Sequence, residues 1–175
     1  MAFISLPDMK DVDDYTRRVF IANKAITGEI SDTARILAIR QDIMKMTNVM
    51  IKTLLTSETE LDYKTKEWIA ILVSLKNGCE ICVDEHKRIA KMFGITEEAI
   101  DKTVANLRSA DFPENQRMLI QFCIKIAKDS YKVVHEELDA LREAGYADSQ
   151  LLEAAAIVGY FNYINTITNA MGAGR

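Results

Sequence analysis

Proline is nearly absent from this chain. Two prolines and seven glycines in 175 residues leave few places for breaks, which favours long helices. Strand signals are equally scarce: no alternating apolar–polar run is flanked by Asn-Gly or Asp-Gly, and the β-branched clusters lie inside helical patterns. No apolar run approaches the roughly 20 residues of a membrane span, so no membrane partner is expected. The first residues, MAFISLPDMKDVDDY, lack the basic and apolar segments of a signal peptide, which makes a cytoplasmic location the expectation. No basic run offers a stripe for tracking phosphates, and a formal net charge of -4 argues against a nucleic-acid partner. Glycine-rich phosphate loops, nucleotide fingerprints and GxSxG are all missing, so no cofactor is expected. The three cysteines, Cys79, Cys82 and Cys123, are too few and too clustered for a secreted disulfide framework; a lone CxxC points instead to redox or metal chemistry.

What is present is the balance of a globular protein, 49% hydrophobic and 27% charged, on a chain long enough to bury a core without staples. The fold class that follows is all-α. Helices are expected over about 12–26, 32–55, 63–76, 79–94, 96–108, 114–129, 132–144 and 148–171. Asp11 or Asp13 caps the first, Ser31 or Asp32 the second, and Thr96 the fifth, while Pro113 suits a first helical position. In the second, Ile36, Ile39, Ile43, Met46, Met50 and Leu54 recur every three or four residues, the spacing of a core face. Ser57 to Asp62 is a short polar connection. A weak repeat at an offset of 51 residues sets Gly94 over Gly145, Ile100 over Leu151 and Ala105 over Ala156, each copy being a helix, a glycine stop and a second helix. The expected organisation is one domain over 1–175: an N-terminal helix over 1–30, a half bearing the cysteine pair over 31–110, and a second half over 111–175. In the second copy Ser130 and Val133 stand opposite Cys79 and Cys82, so thiol chemistry belongs to the first.

The chemistry concentrates between Glu67 and Gly94. Cys79 and Cys82, at i and i+3, share a helix face just after a glycine stop. Unpaired backbone N–H groups and the positive end of the helix dipole favour thiolate there, and such cysteines commonly have pKa values of about 3.5–7.5. His86, four residues after Cys82, lies over the same face and suits a proton acceptor. In one continuous helix Glu67 would lie about 18 Å from Cys79. A reversal at Asn77-Gly78 instead makes the flanking helices antiparallel, with Glu67 and His86 at similar depth. A carboxylate there orients the imidazole, giving a chain Glu67–His86–Cys82. Spacing alone leaves three readings open: a dithiol redox site, a zinc site in which Cys79, Cys82 and His86 are joined by Glu67, and two buried structural cysteines. Cys123 among apolar neighbours reads as core, and His135 in a charged stretch as solvated. Asn162, Asn165 and Asn169 form a stripe on an apolar helix. The preferred reading is hydrogen bonding across a subunit interface, with lining of the site as the other.

Glu-x11-Cys-x-x-Cys-x3-His, with Ser74 and Asn77 ahead of the first cysteine, resembles the core motif of the AhpD-like family, the alkyl hydroperoxidase D and carboxymuconolactone decarboxylase group. The C-terminal Phe161-Asn162-Tyr163-Ile164-Asn165 is similar to the tail of its peroxidase-related branch, and the resemblance covers roughly residues 30–172. It implies an all-α fold of helical hairpins, a trimeric or hexameric homo-oligomer, and a dithiol that reduces hydroperoxides at the expense of an unidentified thiol or dithiol. Cys82 matches the attacking cysteine, Cys79 the resolving one, and Glu67 and His86 the proton relay. One departure is Ile81, where alkyl hydroperoxidase D has a histidine. The decarboxylase branch lacks the cysteine pair, so lactone decarboxylation is an alternative, beside a non-catalytic zinc-binding or structural oligomer.

Overall fold

The computed structural model describes residues 2–57 and 59–174, without the side chains of Thr27 and Ser109. Met1 and Arg175, the ends of the expected domain, and Glu58 in the expected 57–62 connection lie outside the described residues. Every regular element among the described residues is helical: α1 (Asp14–Thr27), α2 (Asp32–Ala38), α3 (Gln41–Ile51), α4 (Tyr63–Lys76), α5 (Glu80–Met92), α6 (Glu97–Ala105), α7 (Glu114–Asp129), α8 (His135–Glu143) and α9 (Asp148–Ala170). None of the helices is long and apolar enough to cross a membrane, among the described residues.

The bundle is built around α4. Asp62 caps it, accepting from Thr65 N at 3.0 Å, and Ile69, Ala70, Ile71 and Val73 lose all contact with solvent. It packs against α5, α7 and α9 together, so it is apolar on nearly all sides. Two charged residues go down with it. Lys66, 1% exposed, meets Glu153 of α9 at 3.0 Å and donates to the Ser57 carbonyl. Thr59 bonds both Lys66 and Glu153, and Leu61 N donates to the same carboxylate. Burial pulls the Glu153 carboxyl upward, but these bonds outweigh it and hold the group below its usual range. The second buried charge is Glu67, whose partner lies on α5.

The expected continuous helix over 32–55 is broken. α2 ends at Ala38, and Arg40 leaves the helical region (φ -127°, ψ 95°) to cap α3. There its guanidinium grips Asp42 through two bonds, with the carboxylate in the first turn of α3 where the dipole favours it. The break shifts the helical phase, so Met44 enters the core while Ile39 and Met46 are about half exposed. A π-helical turn over Lys52–Thr56 ends the segment. Other differences are at boundaries. Cys79 is the N-cap of α5 rather than its first residue, and Pro113 precedes α7 as its cap. Asp13, Ser31 and Thr96 all cap through their side chains. The two copies of the repeat close alike: Ile95 N donates to Ala90 O and Tyr146 N to Leu141 O, each at 3.1 Å.

α4 and α5 reverse at Asn77-Gly78, where Gly78 takes φ 67°, open to glycine at no steric cost. The asparagine stripe of α9 clamps this turn. Asn77 Nδ2 donates to Asn162 Oδ1 at 2.9 Å and to Asn165 Oδ1 at 3.0 Å. Asn165 donates to Ser74, Asn169 to the Asn77 carbonyl, and Asn162 to the Ala127 carbonyl of α7. Within the chain, then, the side-chain amide groups of this stripe already find partners, because the Asn77 turn supplies them at matching depth. Asn165→Ala removes two of these bonds at a buried position, and it is expected to cost about 1–3 kcal/mol in urea unfolding. A loss under about 0.5 kcal/mol would show that the clamp adds nothing beyond an ordinary surface contact.

Candidate active site

The α4–α5 hairpin brings Glu67 and His86 together. His86 Nδ1 lies 2.8 Å from Glu67 Oε2, with the carboxylate 4% exposed. The imidazole also packs edge-on against Phe161 of α9, ring centroids 4.9 Å apart. Burial is the largest single influence on His86 and works to lower its pKa. The Glu67 charge and hydrogen bond, with the Glu85 charge behind them, outweigh it and hold the histidine above its ordinary 6.5. With Nδ1 engaged by the carboxylate, Nε2 is the nitrogen left to exchange a proton.

Cys79 and Cys82 are joined in a disulfide, their Cα atoms 5.3 Å apart. Cys79 N donates to the Ser74 carbonyl, tying the first cysteine to the end of α4. Cys82 is in the first turn of α5, one turn before His86 on the same face. The two sulfurs differ in access. Cys79 is wholly buried, whereas Cys82, 5% exposed, lines a cavity of about 540 Å³ with Glu67 and His86. That volume lies within the range of small-molecule sites.

The cavity wall is mostly apolar, with Val19, Ile26, Leu37, Met44, Ile89 and Phe161 prominent in it. About half of it comes from α1 to α3 and the π-helical turn, which precede the motif. Glu85 is the further carboxylate of the wall. It accepts from Asn23 Nδ2 of α1 at 3.4 Å, and Asn23 Oδ1 accepts from Ser31 N at 2.8 Å, linking α5 to the start of α2. Sequence reasoning passed over Glu85, although its i+3 spacing from Cys82 placed it on the same face. Tyr160 and Phe161, also in the wall, gave no signal, because aromatics in an apolar helix read as ordinary core.

The remaining candidates separate cleanly. Cys123 is buried in the core, where burial pushes its thiol up to about 12. His135 is exposed beside Asp139. Ile81 does not line the cavity; it packs under the C-terminal tail, its Cδ1 3.4 Å from where a Gly174 Cβ would stand. A histidine at this position would meet that tail. Among the described residues no group of three or more His, Cys, Asp or Glu side chains is placed to hold a metal ion. The zinc reading needs Cys79 and Cys82 as separate thiolates, and here they are bonded to each other.

Residues 41–119 match the sequence pattern of the carboxymuconolactone decarboxylase family. A crystal structure of a peroxidase-related protein with an alkylhydroperoxidase AhpD core, from Ralstonia eutropha JMP134, superposes with a TM-score of 0.91. It is 26% identical, and the match covers 98% of this chain and 90% of that one. The debrominase Bmp8 has the same fold at 18% identity, with a TM-score of 0.81 over 96% of this chain and 89% of that one. Bacillus subtilis (strain 168) protein YdfG is 28% identical over 117 residues, 67% of this chain and 80% of its own length. The chain therefore carries the carboxymuconolactone decarboxylase family pattern over residues 41–119 and has the AhpD-like fold, a pattern and fold associated with enzymes.

Since the folded histidine titrates above 6.5, its pairing with ionised Glu67 contributes stability that is fully present below pH 6.5 and lost as the pH rises through the folded value. Glu67→Gln removes the charge but leaves the burial, so the His86 pKa is expected to fall below 6.5 when followed by NMR of the ring protons. An unmoved titration would mean that Glu67 does not govern the imidazole.

Proposed function

We propose that this protein reduces hydroperoxides by a Cys79/Cys82 dithiol–disulfide cycle with Glu67 and His86 as its proton relay. The observation that carries the reading is the asymmetry of the cysteine pair: Cys82 opens on a cavity beside a carboxylate-held imidazole, and Cys79 stands behind it, bonded and closed to solvent. In the reduced protein His86 takes the Cys82 proton. The thiolate attacks the terminal peroxide oxygen, an S–O bond forms, and the O–O bond breaks. The alkoxide leaves with the proton returned by His86, as alcohol. Cys79 thiol then displaces hydroxide from the Cys82 sulfenic acid, releasing water and closing the disulfide. A thiol or dithiol reductant restores both cysteines by exchange at Cys82, the sulfur that the cavity reaches. The peroxidase-related relative supports this reading by its fold. We further expect a homo-oligomer, trimeric or hexameric, in the cytoplasm.

Lactone decarboxylation is less well supported. A substrate bearing a carboxylate would face Glu85 and a His86 already paired with Glu67, and no lysine or arginine is among the described residues of the cavity wall. Like charges brought together at low dielectric repel strongly.

The test is mass spectrometry of the reduced protein after a stoichiometric dose of organic hydroperoxide. The expected change is loss of two hydrogens across Cys79 and Cys82, abolished in Cys82→Ser, while Cys79→Ser accumulates a sulfenic acid at Cys82. Wild-type protein that stays reduced would sink the peroxidase reading.

A further inference from the structure

Tyr160 lies on α9, next to the Phe161 that packs on His86. It is 4% exposed and lines the cavity. Its ring is held edge-on by Phe161, centroids 5.2 Å apart. Its hydroxyl makes no hydrogen bond among the described residues. Tyr163, one turn on, is different: its hydroxyl is paired with Thr47 at 2.9 Å. Nor is the Tyr160 hydroxyl sealed in protein, since Thr16 Oγ1 is the one fully enclosed side-chain N or O atom without a partner among the described residues. The Tyr160 hydroxyl therefore keeps accessible surface, and the cavity is the open space that this residue lines. A buried hydroxyl ordinarily finds a partner, so one left unmatched beside an apolar cavity is set for a ligand.

The wall also limits what that ligand is. It carries two carboxylates, Glu67 and Glu85, with no lysine or arginine among its described residues. Burial raises the phenol's pKa first, and the Glu85 charge and Tyr163 add to this, so the hydroxyl keeps its proton and acts as a donor. An anionic head is disfavoured beside Glu85 and beside a His86 already paired with Glu67, and an apolar body suits the rest of the wall.

We infer that Tyr160 is a substrate-binding residue whose hydroxyl donates a hydrogen bond to the oxygen of a neutral, apolar-bodied ligand in the cavity. Hydroperoxides and alcohols share that chemistry. The binding stands on its own; its part in turnover rests on the peroxidase reading above. In that reaction the phenol holds the leaving oxygen as the O–O bond breaks and retains its own proton, while His86 supplies the proton that makes the alcohol.

The experiment compares two unreactive probes on the disulfide form, 2-phenyl-2-propanol and isopropylbenzene, which share an aromatic body and differ in the hydroxyl group. Affinities are read from amide chemical shifts. Tyr160→Phe is expected to weaken the alcohol about tenfold and to leave the hydrocarbon within about twofold, as loss of a single hydrogen bond would. An equal change for both probes, no change for the alcohol, or no alcohol binding to the wild type would overturn the inference.

A second arm follows oxidation of the reduced protein by cumene hydroperoxide. Tyr160→Phe is expected to slow it about tenfold, with the rate of Cys82 alkylation by iodoacetamide unchanged. If alcohol binding depends on Tyr160 but peroxide leaves the wild type reduced, the peroxidase reading falls and the binding inference stands. If peroxide oxidises the wild type but alcohol binding ignores the substitution, the reverse holds.

Discussion

The hydrogen bond between Glu67 and His86 constrains the rest of the molecule. A carboxylate within the most deeply buried helix is costly unless a partner meets it. The partner comes from a different helix: on α4 the adjacent Lys66 is taken by Glu153, Lys64 is exposed, and Trp68, Ile69 and Ala70 that follow are apolar. That requirement fixes the α4–α5 hairpin in one register. A slip of one residue along α5 would turn His86 about 100° off the carboxylate. The same register puts Cys82 one turn from the imidazole and Cys79 at the pivot.

Holding the register falls to the amide clamp. Asn77 is gripped by Asn162 and Asn165, and its carbonyl by Asn169, so the turn hangs from three residues of α9. α9 also carries Phe161 against His86 and Tyr160 into the cavity. One helix thus fixes the position of the cysteines, the tilt of the imidazole and part of the cavity wall. Lys66 and Glu153 tie the other end of α4 to this same helix.

The all-α class and the meeting of Glu67 with His86 were legible in the sequence for a simple reason. Both residues are counted from a single pivot, Asn77-Gly78, and the rise of a helix is constant, so their depths follow from arithmetic. The break at Ile39-Arg40 was not legible, since no glycine or proline marks it and apolar residues continue at helical spacing across it. The asparagine stripe announced that it needed partners but not where they were; an amide's chemistry is the same whether its partner lies in its own chain or another. The cavity was out of reach for a related reason. Its roof comes from α1 to α3, whose apolar residues carry the same periodicity whether they face a core or an empty space. Glu85 was readable as a face-mate of Cys82, but only the contact with Asn23 draws it into the site.

The proton path from Cys82 to the imidazole held by Glu67 is the central claim, and the ionisation of Cys82 tests it most directly. In reduced Cys79→Ser protein the pH dependence of alkylation reports Cys82 alone, because burial holds the Cys123 thiol near about 12. A midpoint within the range of about 3.5–7.5 is expected, moving up toward the ordinary value of about 8.5 when His86→Gln is added. The same midpoint with and without the imidazole would contradict it.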